Sequence, residues 1–254
     1  MIIKSEPGDA PSFQVEKGID AYCSPHNETS TGVAIKPIRP AGADEDALVI
    51  IDATSGAGGL EVDLNQVDVY YFSPQKCFAS DGGLWVALMS PKAIARVEEI
   101  KASGRYIPAF LDLSIAIENS RLDQTYNTPA LATIYLMTEQ VDWFNQNGGL
   151  NWCTARTAES SSVIYDWAAK SKFAQPYVTD PAKRSKVVAT VNFADEIDAK
   201  EIAKVLRDNG IVDTEPYRKL GKNQLRISVF PAVDPDDVRK LVNAIDFVVA
   251  ELTQ

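Results

Sequence analysis

Ala47-Leu48-Val49-Ile50-Ile51-Asp52 is a continuous apolar run that ends in an acid, and Thr54, Ser55, Gly56, Gly58 and Gly59 follow it at once. A strand with one wet face alternates apolar and polar residues; an unbroken run predicts a strand covered on both faces, as in a parallel sheet. Small and hydroxylic residues just past the carboxyl end of such a strand sit where open α/β sheets bind ligands. Residues 67–72 (VDVYYF) and 84–89 (LWVALM) read as two further strands. The first half is therefore expected to be α/β, with a mostly parallel sheet.

Working outward, Pro91–Ala102 reads as a helix, and so does a longer segment over 128–147, with Ile134, Met137, Val141 and Phe144 at helical spacing and Gly148-Gly149 as its stop. A third helix is predicted from about Leu150 to Lys170. Beyond Pro176 the pattern changes. Residues 186–193 (KVVATVNF) form a strand. Asp198, three residues before Glu201, starts a helix that ends at Asn209-Gly210. Residues 211–214 and 224–230 (QLRISVF) read as strands, and Asp234-Pro235-Asp236 opens a last helix with a cap, a proline and an acid in its first turn. Val238, Leu241, Val242, Ile245, Val248, Val249 and Leu252 form its apolar stripe. The expected organisation is two domains, residues 1–150 and a C-terminal α+β unit over 151–254 that includes its connecting helix.

Among the 254 residues, 25 Lys and Arg stand against 35 Asp and Glu, a net charge of -10. Binding to nucleic acid is driven by neutralising phosphates with basic side chains, so this balance argues against it. A local basic pocket for a small anion remains compatible with it. Three cysteines, Cys23, Cys77 and Cys153, match no zinc spacing. With no signal-peptide pattern and no apolar run of membrane-spanning length, a cytoplasmic location is expected.

Two residues suggest chemistry. Lys76 follows the second strand in Ser73-Pro74-Gln75-Lys76-Cys77-Phe78, ahead of Asp81-Gly82-Gly83. Taken alone it reads as a solvated loop lysine, whereas a lysine that forms an imine must be enclosed so that desolvation lowers its pKa. Asp52 ends a buried strand, where a carboxylate is costly unless it has a partner. That partner could be backbone N–H groups, or the ring nitrogen of a pyridoxal cofactor, which needs an acid to remain protonated. Acid and lysine at successive strand ends, with small residues between, are more specific together than apart.

The stretch from Asp52 to Met89 resembles the cofactor segment of class V, fold-type I aminotransferases. His26-Asn27-Glu28-Thr29-Ser30-Thr31-Gly32-Val33, Tyr126-Asn127-Thr128-Pro129 and residues 210–226 (GIVDTEPYRKLGKNQLR) resemble the phosphoserine aminotransferase family, its actinobacterial branch most. The likeness spans essentially the whole chain and implies pyridoxal 5'-phosphate as cofactor. It implies that Lys76 holds the cofactor covalently and that Asp52 pairs with the pyridine nitrogen. Thr29 would lie near the ring hydroxyl and Gln75 near the phosphate. Asn127 and Thr128 would reach across a homodimer interface to the partner subunit's cofactor phosphate. Arg226 would clamp the substrate α-carboxylate, a task that suits a planar bidentate donor. Arg218 would touch the anionic end of the substrate.

The implied reaction moves an amino group between glutamate and 3-phosphohydroxypyruvate, giving O-phospho-L-serine and 2-oxoglutarate for serine biosynthesis, with a related role in pyridoxine biosynthesis. Family members also carry an N-terminal segment with a phosphate-cradling loop, a ring-stacking aromatic and further arginines. None of these is found before residue 20, so the chain is expected to be a C-terminal fragment of a fold-type I large domain plus its small domain, poorly active alone. Two other readings stand beside this: a different class V enzyme, such as a cysteine desulfurase, for which Cys77 is badly placed, and a non-catalytic dimerising fragment. Asn27 and Thr29 also read as turn residues, Asn127-Thr128-Pro129 as a helix start, Arg226 as a surface strand residue, His26 as a packing histidine and Trp85 as core.

Overall fold

In a computed structural model, which describes residues 1–253, the apolar run becomes the strand on which a sheet is assembled. β1 (Ala21–Pro25) precedes it, followed by β2 (Asn27–Glu28) and β3 (Val33–Ala34), a small antiparallel pair. β4 (Leu48–Asp52), β5 (Val69–Phe72) and β6 (Val86–Met89) complete a sheet of order β1-β4-β5-β6. β1, β4 and β5 are mutually parallel, and β6 runs antiparallel to β5. The fold is therefore mixed α/β with a mostly parallel sheet.

Coverage of the sheet is uneven. Val49 and Ile51 pack with Ala57, Val67, Tyr70 and Phe72 in one core cluster, whereas Ile50 and Asp52, on the other face, are only half-buried. β1 escapes sequence reading because AYCSP has no apolar run; its strand conformation comes from the ladder with β4. Trp85, expected in the core, is 54% exposed, because β6 begins only at Val86 and the preceding residue lies outside the ladder.

α1 (Pro91–Ala102) is capped by Ser90, whose hydroxyl accepts the Ala93 N–H, with proline in its first turn. α2 (Leu113–Ser120), too short to show a period in the sequence, is capped by Asp112. α3 (Leu131–Asn147) starts three residues later than its apolar spacing suggests. Its cap is Ala130, not Asn127 or Thr128, so Pro129 lies ahead of the first turn and not in it. Gly148 and Gly149, both at positive φ, turn the chain directly into α4 (Gly149–Lys170).

The C-terminal sheet is β7 (Ala174–Pro176), β8 (Val188–Phe193) and β9 (Gln224–Ser228), antiparallel in that order, with α5 (Ala199–Asp208) and α6 (Pro235–Leu252) packed on it. Ile164, Val191, Ile202, Leu206, Leu225 and Ile245 make its core. The α6 stripe is buried as expected, except Leu252 in the last turn, which is exposed. Residues 211–214 are not a strand. Asp213 takes a left-handed φ of 64° and its carboxylate turns to Arg207, so only the Thr214 carbonyl reaches β9, accepting the Arg226 N–H. Asp198 caps α5 through the Lys200 N–H.

The two cores meet at Leu60, Cys77, Val187 and Val188. There the Thr157 hydroxyl of α4 donates to the Gly59 carbonyl at 2.7 Å. A Cβ on Gly59 would stand 2.6 Å from Val187 Cγ1 and 2.8 Å from Cys77 Sγ, closer than packed atoms tolerate. Gly59→Ala is expected to destabilise the fold by about 1–3 kcal/mol as an overpacked contact. A denaturant midpoint unchanged from the parent chain would show that Val187 and Cys77 can yield.

Candidate active site

The loop after β5 owes its shape to its own backbone. The Ala79 N–H donates to the Lys76 carbonyl at 3.0 Å and the Ser80 N–H to the Pro74 carbonyl at 3.1 Å, with Ala79 at a φ of 47°. Ser73 Oγ donates to the Leu84 carbonyl at one end, and Ser80 Oγ to the Thr133 carbonyl of α3 at the other. Phe78 turns inward and stacks on Phe72 with ring centroids 4.9 Å apart. Cys77 is buried, and its Sγ donates to the Ser55 carbonyl at 3.6 Å. Lys76 is left half-buried between these anchors. Burial, and then the nearby Arg226 guanidinium, hold its ammonium below the ordinary lysine value.

Asp52 stands at the carboxyl end of β4, its Oδ1 accepting the Thr54 N–H at 3.0 Å. Tyr71 is its cross-strand partner on β5, and its phenol is pushed up by burial and by the Asp52 charge. Three residues on, Ser55 acts as a hub. Its hydroxyl accepts from Asn27 Nδ2 at 2.9 Å and from Thr29 Oγ1 at 2.7 Å, and donates to the Asn27 carbonyl at 3.3 Å. Asn27 Oδ1 is buried without a hydrogen-bond partner. Asn27 is thus a buried strand residue and not a turn residue. Ser55 carries no pattern of its own in the sequence beyond its place in the small-residue run; only the closeness of the 26–31 segment reveals its role.

His26 is buried. Its Nδ1 lies 3.0 Å from the Tyr70 hydroxyl, and its ring packs on Gly56, where a Cβ would come within 2.9 Å of Nδ1. Desolvation lowers its pKa to about 4, so it is neutral at ordinary pH and packs instead of titrating.

Arg226, on β9, is half-buried and places its guanidinium 5.8 Å from the centre of the Tyr217 ring. Arg226 lies 150 positions from Lys76 in sequence yet close enough in the fold for its charge to lower the lysine's pKa. Gln75 is exposed. Arg218 is exposed in a short 3-10 turn, beside Lys200 and Lys222 around a cavity of about 330 Å³. Asn127 and Thr128 lie on an exposed loop that makes no hydrogen bond to Lys76, Asp52 or Thr29 among the described residues. The structure thus ties Ser55, three residues past Asp52, to Asn27 and Thr29, and places Lys76 within electrostatic range of Arg226; among the described residues no hydrogen bond brings Asn127, Thr128 or Arg218 into that group within one chain. Among the described residues no cluster of His, Cys, Asp and Glu could hold a metal ion.

A half-buried lysine kept below its ordinary pKa, a strand-end carboxylate and a guanidinium with no ion pair among the described residues suit a carbonyl cofactor and an anionic substrate, and the likeness to known proteins agrees. The pattern of class-V aminotransferases matches residues 15–241. The phosphoserine aminotransferase of Rhodococcus jostii is 61% identical over 252 residues, covering 99% of this chain and 67% of its own length. That of a Nocardioides species is 62% identical over the same coverage. A crystal structure of a phosphoserine aminotransferase from Cytophaga hutchinsonii superposes with a TM-score of 0.85 at 26% identity, covering 96% of this chain and 67% of that one. The chain belongs to the class-V aminotransferases of fold type I. Within them it stands in the phosphoserine aminotransferase family, spanning about two thirds of the length of these relatives.

The buried His26 makes stability depend on pH with a definite sign. Its pKa is lower folded than unfolded, so its neutral form contributes fully above about pH 6.5, and that contribution is lost as pH falls toward 4. The loss should approach about 3 kcal/mol. Denaturant titrations between pH 7 and 4 should show it, and a His26→Asn chain should lose less over the same window.

Proposed function

We infer that this chain contributes the lysine, the carboxylate and the carboxylate clamp of a phosphoserine aminotransferase site. The reaction exchanges an amino group between glutamate and 3-phosphohydroxypyruvate to give O-phospho-L-serine and 2-oxoglutarate. The observation that carries the reading is Lys76, half-buried and kept below its ordinary pKa by burial and by the charge of an Arg226 that has no acidic partner among the described residues.

Pyridoxal 5'-phosphate, the cofactor implied by the family, supplies an electron sink for the carbon that carries the amino group. Lys76 would hold it covalently and move the proton at the substrate Cα, a task helped by a pKa below the ordinary lysine value. Asp52, at the end of β4, would keep the proton on the ring nitrogen. Thr29, fixed through Ser55, would sit near the ring hydroxyl, and Gln75 near the phosphate. Arg226 would grip the α-carboxylate with two parallel N–H bonds, with Arg218 toward the other anionic end. Asn127 and Thr128 fit a role toward the cofactor of a second copy, since their loop is exposed and set apart from this chain's own site.

Leu122 and Leu131, which flank that loop in sequence, are exposed apolar residues, as are Tyr106, Phe110 and Tyr135, which supports a homodimer. A place in the cytoplasm, in serine and pyridoxine biosynthesis, accords with the family, and no helix among the described residues is long and apolar enough to cross a membrane. A desulfurase reading is disfavoured because burial pushes the Cys77 thiol far up, where it is a poor nucleophile.

Adding pyridoxal phosphate is expected to produce the visible absorption band of a lysine-bound cofactor, abolished in Lys76→Ala. A band that persisted in the variant would place the cofactor on another lysine. No band in the parent chain would favour the non-catalytic dimerising reading. Arg226→Gln removes a positive charge beside Lys76, so the pH at which the band forms should move upward. An unchanged pH profile would mean that Arg226 does not act on the lysine.

A further inference from the structure

Five arginines are half-buried: Arg39, Arg96, Arg156, Arg184 and Arg226. Arg39 binds Asp68, Arg96 the Asp46 carbonyl, Arg156 Asp234, and Arg184 the Val178 carbonyl. Among the described residues, the Arg226 guanidinium alone of the five has no hydrogen bond or ion pair. What touches it is the face of Tyr217, 5.8 Å from its Cζ.

The loop that carries Tyr217 is shaped to keep matters so. Its backbone is tied to β9 by the Arg226 N–H, which donates to the Thr214 carbonyl at 3.0 Å. Its two acids face away: Asp213 and Glu215 both pair with Arg207 of α5, at 3.0 and 2.6 Å. Glu215, only two residues from Tyr217, is thereby kept off Arg226. A 3-10 turn at Arg218–Leu220, with Tyr217 at its N-terminal cap, returns the ring over β9.

An aromatic face orients a guanidinium through the ring quadrupole and leaves its charge uncompensated. A carboxylate in the same place would hold it more firmly but would neutralise it and compete with an incoming anion. We propose that Tyr217 is the positioning residue of the carboxylate clamp: its ring holds Arg226 in place while leaving all of its N–H donors free for the substrate. This rests on the reading of Arg226 as the clamp.

The test uses the 254-residue chain, its Tyr217→Phe and Tyr217→Leu variants, phenylglyoxal as an arginine reagent and glutarate as an unreactive dicarboxylate probe. Labelling of Arg226 and of Arg156 is followed by peptide mass mapping, with Arg156 as the internal control. In the parent chain glutarate should slow labelling at Arg226 and not at Arg156. Tyr217→Phe, which keeps the ring face, should need the same glutarate within about twofold. Tyr217→Leu should need about three- to tenfold more, the size of one cation–π contact, and its Arg226 should label faster without glutarate.

Equal protection and equal labelling rates in the parent and Leu chains would overturn the proposal, and so would a Phe chain that behaves like Leu. If glutarate failed to protect Arg226 in the parent chain, the clamp reading would fall and take the purpose of the stack with it. The ligand-free labelling rates would still show whether the stack itself exists, so the two failures are told apart. Labelling of Arg156 that rose in step with Arg226 would mark general loosening and count against a specific role for Tyr217.

Discussion

Everything in this molecule converges on the absence of a side chain at Gly59. A Cβ built there would meet Cys77 of the loop that carries Lys76, Thr157 of α4 and Val187 just before β8. Because nothing larger than hydrogen is there, the Thr157 hydroxyl can bond the Gly59 carbonyl while Val187 closes over it and Cys77 lies beside it. Cys77 in turn carries Lys76 as its chain neighbour, and β8 carries β9 and Arg226 through its ladder. The distance between the lysine and the arginine is therefore set indirectly, by how tightly two cores press on a glycine.

Electrostatics build on that packing. The chain has ten more acids than bases, yet the two acids of the loop that carries Tyr217, Asp213 and Glu215, are both tied up on Arg207. Arg226 lies within electrostatic range of Lys76, and each bears the consequence. Lys76 is kept below its usual pKa, and Arg226 is steadied by an aromatic ring in place of a counter-charge. A pair of like charges that would destabilise an ordinary surface becomes useful where an anion is to be received.

Much of this was legible in the chain. The run 47–52 announced its strand, Asp234 with Pro235 announced α6, and the turn glycines at 148–149 and 210 ended their helices because few other residues accept positive φ. Asp52 and Lys76 could be named from their places after buried strands. Other features could not. β1 and the small β7 have no apolar run and exist through the strands they pair with. Residues 211–214 have the composition of a strand but give up their ladder when Asp213 turns to Arg207. Trp85 looked like core by its neighbours and lies outside by one residue of register.

By itself, then, the sequence determined the local elements and singled out the candidate groups, because strand burial, capping and turn chemistry act over a few residues. Only the tertiary structure decided which of those groups meet. Ser55 gains its role from hydrogen bonds to Asn27 and Thr29, 28 and 26 positions away. Arg226 gains its role from Lys76 on the other core and from a ring nine residues back, brought over it by a turn. Such contacts depend on how separate surfaces fit at Gly59, and close packing of that kind is not written in any single stretch of chain.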